Sequence, residues 1–116
     1  MAIPTGSGSE VLKRGYYTVT GTTDTKILDG VADHIYTVFS ISLTETAGNA
    51  ETFGLFAFIG GSNYEILSVQ NVALDDNATF VFNDKLVLVG TDELYFKAGA
   101  SCDIDIYISY IDQDWT

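Results

Sequence analysis

The sequence predicts an all-β domain, an antiparallel β-sandwich of jelly-roll type with eight or nine strands. Three observations carry that prediction. Short runs rich in β-branched and aromatic residues are separated by turn signals at short intervals, and no stretch shows a helical period. The last strand, Cys102 to Ile111, alternates strictly, with Cys102, Ile104, Ile106, Ile108 and Tyr110 on one side and Asp103, Asp105, Tyr107, Ser109 and Ile111 on the other. Such alternation sets one face in a core and the other toward water or a partner.

The 116 residues suit one domain with a single core, and an apolar share of 47% with 7 Phe and 7 Tyr supplies bulky, β-favouring material. Residues 1–10 are expected to form an extended arm, 11–111 the sandwich and 112–116 a short tail. The arm is rich in Gly, Ser and Thr and holds the one proline, Pro4. Met1 to Ser9 lacks the basic and apolar regions of a secretory signal, and no apolar run reaches a membrane span of about 20 residues.

Along the sandwich, Val11 to Thr20 and Thr25 to Leu28 are the first two strands, with Lys13 and Arg14 near the entry. His34 to Leu43 follows; strict alternation assigns Ile35, Thr37, Phe39, Ile41 and Leu43 to one face and His34, Tyr36, Val38, Ser40 and Ser42 to the other. Thr44 to Glu51 has the composition of a loop. Thr52 to Ile59 is apolar on both faces, and Gly60-Gly61-Ser62-Asn63 should return Tyr64 to Val69 beside it as a hairpin. Leu74 to Asn77 is a turn, then Thr79 to Phe82, Lys85 to Val89 and Glu93 to Lys97 lead into the last strand.

Five basic against 16 acidic residues give a net charge of −11. That balance opposes binding to a phosphate backbone or an anionic membrane, and copies set side by side must overcome repulsion through apolar or hydrogen-bonded contact. The single cysteine, Cys102, cannot make an internal disulfide; it reads as a small buried residue, with a bridge to a second copy as the alternative.

No residue pattern of known catalytic, metal-binding or cofactor-binding type stands out. Asp103 and Asp105, about 6 to 7 Å apart on one side of a strand, have the chemistry for a hard cation or for acid and base work, but a solvated strand face is the plainer reading. His34 has no second imidazole or thiol near it in sequence and reads as a hydrogen-bonded surface residue. Asp112 and Asp114 read as surface charges or as acceptors between subunits. Tyr36, Tyr64, Tyr95, Tyr107 and Trp115 suit either a contact between subunits or a platform for stacking sugars.

The run Val72-Ala73-Leu74, a polar turn, Thr79-Phe80-Val81-Phe82, Lys85-Leu86-Val87-Leu88, Gly90-Thr91-Asp92-Glu93-Leu94, Lys97-Ala98 and the strand Asp103 to Tyr110 resembles small virion structural proteins of tailed bacteriophages. The opening MAIPTGSGSEVLKR and the closing SYIDQDWT are similar to marine and cyanobacterial phage members. Leu74-Asp75-Asp76-Asn77-Ala78 departs from the Pro-Ala-Gly type of turn usual in that group. The resemblance implies a small, multimeric β-sandwich without enzymatic activity, residing in the virion after synthesis in the host cytoplasm. It implies a capsid decoration or cement protein, a homo-oligomer with a trimer favoured, bound to the major capsid protein or other virion proteins. A tail, neck or fibre component and a carbohydrate-binding module for host attachment are the alternatives. The expected interface residues are Ile3, Pro4, Lys13, Arg14, Tyr107, Ile111 and Trp115, with the Trp as anchor.

Overall fold

The structure, a computed structural model, describes residues 9–68 and 73–115. Ten strands make up the described chain: β1 (Ser9–Val19), β2 (Thr25–Asp29), β3 (His34–Glu45), β4 (Glu51–Ile59), β5 (Ser62–Leu67), β6 (Ala73–Leu74), β7 (Thr79–Phe82), β8 (Leu86–Val89), β9 (Glu93–Ala98) and β10 (Ile104–Asp114). One sheet has the order β1-β10-β3, with β7 and β8 both pairing with β3; the other has the order β2-β9-β4-β5, with β6 also pairing with β4. Every pairing is antiparallel. These two orders, with the chain crossing between facing sheets except at β4-β5-β6 and β7-β8, are the jelly-roll arrangement. The expected eight or nine strands become ten through β6, a two-residue addition, and β7 and β8, already separate in the sequence, divide one strand position of the sheet. β7 pairs with Ile41 to Thr44 and β8 with Ile35 to Val38, so together they flank successive parts of β3.

The division coincides with an irregularity in β3. Ser109 pairs with Ser40 but Tyr110 pairs with Val38, which leaves Phe39 as an extra residue on β3. A bulge of one residue reverses the facing of all that follows. Tyr36 and Val38 therefore turn inward with Ile41 and Leu43, whereas strict alternation had grouped Ile41 and Leu43 with Ile35, Thr37 and Phe39. The inner side of β10 keeps its predicted residues: Ile104, Ile106 and Ile108 are buried, Cys102 before them is a buried free thiol, and Tyr110 packs against the core.

Between the sheets Phe53 stacks on Phe96 at 6.0 Å and meets the edge of Phe80 at 5.2 Å. Burial of each such ring is worth about 1.5 to 3 kcal/mol. The predicted β4–β5 hairpin forms, and its turn needs the two glycines: Gly60 and Gly61 have φ of 59° and 84°.

One buried charge was invisible in the sequence. Glu45, 1% exposed, ends β3 and accepts hydrogen bonds from the amides of Ala47, Gly48, Asn49 and Asn77 at 2.8 to 3.1 Å. The Asn77 amide, opposed by burial and helped by the other three, holds this carboxyl below the usual carboxylate range. The residue ties the β3–β4 loop to the turn before β7.

Candidate assembly surface

The pairing of β1, β10 and β3 arranges the outer face of their sheet in rows two residues apart, about 6 to 7 Å along the strands. One row runs Tyr16, Tyr107, Ser42, Val81, and another runs Leu12, Ile111, Thr37, Val87. Between them lies a polar row of Arg14, Ser109 and Ser40. Leu12 is 72% exposed, Tyr16 71%, Val87 58%, Val81 54% and Tyr107 45%. Large apolar side chains at these exposures, recurring across four strands, form a patch rather than scattered single residues.

The margin of the patch is polar and internally bonded. Thr18 donates to Asp105 at 2.8 Å, Thr44 and Thr79 share a hydrogen bond of 2.9 Å, and Gln113 donates to Glu10 at 2.9 Å. Apolar rows inside a polar rim suit a protein contact, with the Arg14 row as a polar strip between them. Depressions of about 250 and 280 Å³ lie on this face, the first beside Tyr16, Ser42 and Tyr107 and the second beside Leu12, Arg14 and Ser109. Both are shallow and fall below the usual size of clefts that enclose a small molecule.

The expected interface residues separate in three dimensions. Arg14, Tyr107 and Ile111 share the outer face, and the Arg14 guanidinium lies 5.7 Å from the centre of the Tyr16 ring. Lys13 belongs to the other side of β1 and donates to Asp112 at 2.8 Å. Trp115 follows the end of β10, where its amide donates to the carbonyl of Asp33 at 3.0 Å and its indole N–H is buried with no acceptor among the described residues. Ile3 and Pro4 lie outside the described residues. Leu12, Tyr16, Val81 and Val87 were missed. Leu12 and Tyr16 stand at even positions of β1 beside Arg14, and that alternation was the available signal.

Asp112 is not the surface charge the sequence suggested. It is 4% exposed, accepts a second hydrogen bond from His34 Nδ1 at 2.7 Å, and so links β10, β1 and β3. Burial pushes the Asp112 carboxyl up, but the hydrogen bonds of Lys13 and His34 outweigh it and hold the group below the usual range. His34, expected as a hydrogen-bonded surface residue, is hydrogen-bonded but its side chain is only 17% exposed, with Nε2 3.5 Å from Asp114.

The five aromatics proposed as a sugar platform do not share one surface. Tyr36 is in the core, Tyr107 is on one outer face, and Tyr95 is on the other, stacked on Phe56 at 5.0 Å. Asp105 is occupied by Thr18, and no cluster of three metal-ligating side chains occurs among the described residues.

No protein-family model and no curated protein matches the chain. Solved structures do. A chain from the disulfide-linked pili of Bacillus endospore appendages is 13% identical with a TM-score of 0.60, covering 100% of this chain and 97% of its own. A chain of the acid-stable capsid of Helicobacter pylori bacteriophage KHP30 is 9% identical with a TM-score of 0.54, covering 95% of each. The Drosophila NLP core, in a structure concerned with pentamer formation and histone binding, is 13% identical with a TM-score of 0.53 and covers 85% of this chain and 96% of its own. At these identities the likeness establishes a shared sandwich fold.

Proposed function

We propose that this chain is a non-enzymatic structural subunit of a bacteriophage particle, a decoration or cement protein that holds the head through the outer face of the β1-β10-β3 sheet. The observation that carries the reading is the patch around Leu12, Tyr16, Tyr107, Val81 and Val87, whose exposures of 45 to 72% leave apolar surface to be covered. A capsid chain with the same fold, that of phage KHP30, supports the setting. The shallow relief of the face suits a broad contact better than a small ligand.

The subunit acts by adding buried area across joints in the shell, and several weak contacts held in one oligomer sum to firm attachment. Three copies are the favoured number; the NLP core, whose structure concerns pentamers, makes five the alternative. The test is retention on purified particles. Wild-type protein should remain bound on heating in hundreds of copies per particle, and Leu12→Ser with Tyr16→Ser should be shed while the domain stays folded. Full retention of that double variant would overturn the assignment of this face, and a dozen or fewer copies would move the protein to the tail or neck.

A further inference from the structure

The first half of β1 is open on both of its sides. Every residue from Ser9 to Arg14 is exposed, Val11 by 49% and Leu12 by 72%. The second half is closed by burial of Val19 and by Tyr17, whose hydroxyl donates to the Ile27 carbonyl on β2 at 3.0 Å. β1 pairs with β10 along all of Ser9–Val19 and has no strand on its other side among the described residues. A long edge strand presents a row of unpaired backbone donors and acceptors, and proteins that must stay separate blunt such edges with charge, proline or bulges. β1 has no proline and no register shift against β10, and it carries charges of both signs in Glu10, Lys13 and Arg14.

Backbone register dictates which residues serve that edge. The amide of Thr46 donates to the carbonyl of Asp103, and the amide of Trp115 to the carbonyl of Asp33. Odd residues of β10 therefore turn their peptide groups toward β3, and even ones turn theirs toward β1. Even residues of β10 oppose odd residues of β1. Glu10, Leu12, Arg14, Tyr16 and Thr18 are left with amides and carbonyls aimed at the free edge, and their side chains stand on the outer face. A strand added antiparallel keeps the two outer faces together only when even residues oppose even residues.

We propose that two copies of this chain join edge to edge across a two-fold axis at Leu12, the first half of β1 in one copy pairing antiparallel with that of the other. Leu12 then opposes Leu12, Glu10 opposes Arg14 on either side of the axis, and Val11 opposes Lys13 on the inner side. The Leu12 and Glu10–Arg14 pairs are the ones that exchange both backbone hydrogen bonds. Within its own chain Arg14 lies over the Tyr16 ring and makes no ion pair among the described residues. Glu10 accepts from Gln113 through Oε1, which leaves Oε2 for the partner's guanidinium, and Lys13 stays with Asp112. Glu10 is the one carboxylate on β1, so only the Leu12 axis sets an acid directly opposite Arg14. An axis at Lys13 gives it Leu12, an axis at Tyr16 gives it Thr18, and full overlap opposes Arg14 to Arg14, which disfavours pairing. The axis stands perpendicular to the sheet, so the row Val87, Thr37, Ile111, Leu12 runs on into its counterpart and both apolar patches look the same way. The joint enlarges the outer face without covering it. A two-fold contact does not close a ring of three, so it links copies of neighbouring oligomers.

Residues of a bonded antiparallel pair lie about 5.5 Å apart at Cα, within disulfide range. Full-length protein carrying Cys102→Ala and Leu12→Cys should therefore oxidise to a covalent dimer, whereas Arg14→Cys in the same background should remain a single chain. With Cys102 intact, Glu10→Lys and Arg14→Glu should each weaken the dimer about tenfold in sedimentation equilibrium, and the two changes combined in one chain should restore it. Cross-linking of Arg14→Cys with itself marks the full-overlap register and would overturn the proposal. So would failure of the combined charge variant to recover the dimer. A Leu12→Cys protein that gives no covalent dimer, while wild-type protein is retained on particles, also sinks the joint and leaves the outer-face reading intact.

Discussion

The two outer faces of the sandwich are both rich in aromatic residues, yet they treat them differently. On the β2-β9-β4 sheet, Phe56 and Tyr95 stack at 5.0 Å with planes 7° apart, and Phe56 is left 6% exposed. Lys26 sits over the Tyr95 ring and bonds Glu93 at 2.6 Å, so cation, carboxylate and rings cover one another. On the β1-β10-β3 sheet, Leu12 and Tyr16 stand more than two thirds exposed, separated by the polar Arg14 row. The first face covers Phe56 and Tyr95 within the chain and leaves Phe58 36% exposed, whereas the second leaves five large apolar side chains 45 to 72% exposed. Aromatic content alone therefore does not mark a contact surface; the absence of intramolecular cover does.

Removing apolar cover from the second face breaks the comparison most directly. Leu12→Ser combined with Tyr16→Ser should reduce association with particles by about thirtyfold or more, equivalent to about 2 kcal/mol or more lost at contact hot spots. Its thermal unfolding should match wild type to within about 0.5 kcal/mol, as expected for exposed positions. A large fall in melting temperature would mean that these side chains already pack inside the domain.

Next in size is Asp112→Ala. It strips the shared acceptor from Lys13 and His34 and should destabilise the domain by about 2 kcal/mol, read by chemical denaturation. Tyr95→Ala should cost about 1 kcal/mol through loss of the Phe56 stack, with particle binding unchanged, because the Tyr95 ring is engaged by Phe56 and Lys26 within the chain. An association defect in Tyr95→Ala would show that both outer faces make contacts.

The smallest effect concerns pH. The carboxyls of Asp112 and Glu45 are held below their usual range, so their contribution to stability is complete above the unfolded carboxylate value of about 4 and is lost as pH falls through the lower folded values. Lys13 is raised, chiefly by its hydrogen bond to Asp112, so its contribution is complete below about 10.4 and is lost as pH rises through the folded value. Denaturation midpoints should be flat near neutrality and fall at both extremes. Asp112→Asn should flatten the alkaline fall, and an unchanged alkaline limb would remove Lys13 from the account.

The all-β class, the hairpin at Gly60-Gly61 and the buried row Ile104, Ile106 and Ile108 are legible in the sequence alone. Each follows from local rules: alternation at a period of two and the positive φ open to glycine. Tertiary structure decided what depends on neighbours far along the chain. The bulge at Phe39 turned Tyr36 and Val38 inward against the local alternation, because β10 and the β7–β8 pair set the register of β3. Lys13, though still exposed, is tied to the buried Asp112, 99 residues on. Glu45 became buried because its loop and the turn at Asn77 supplied four amides. Leu12 and Tyr16 became a patch only when β10 and β3 carried their rows across to Val87 and Val81. Periodicity states which side chains share a side of one strand; only the packing of other strands settles whether that side is covered.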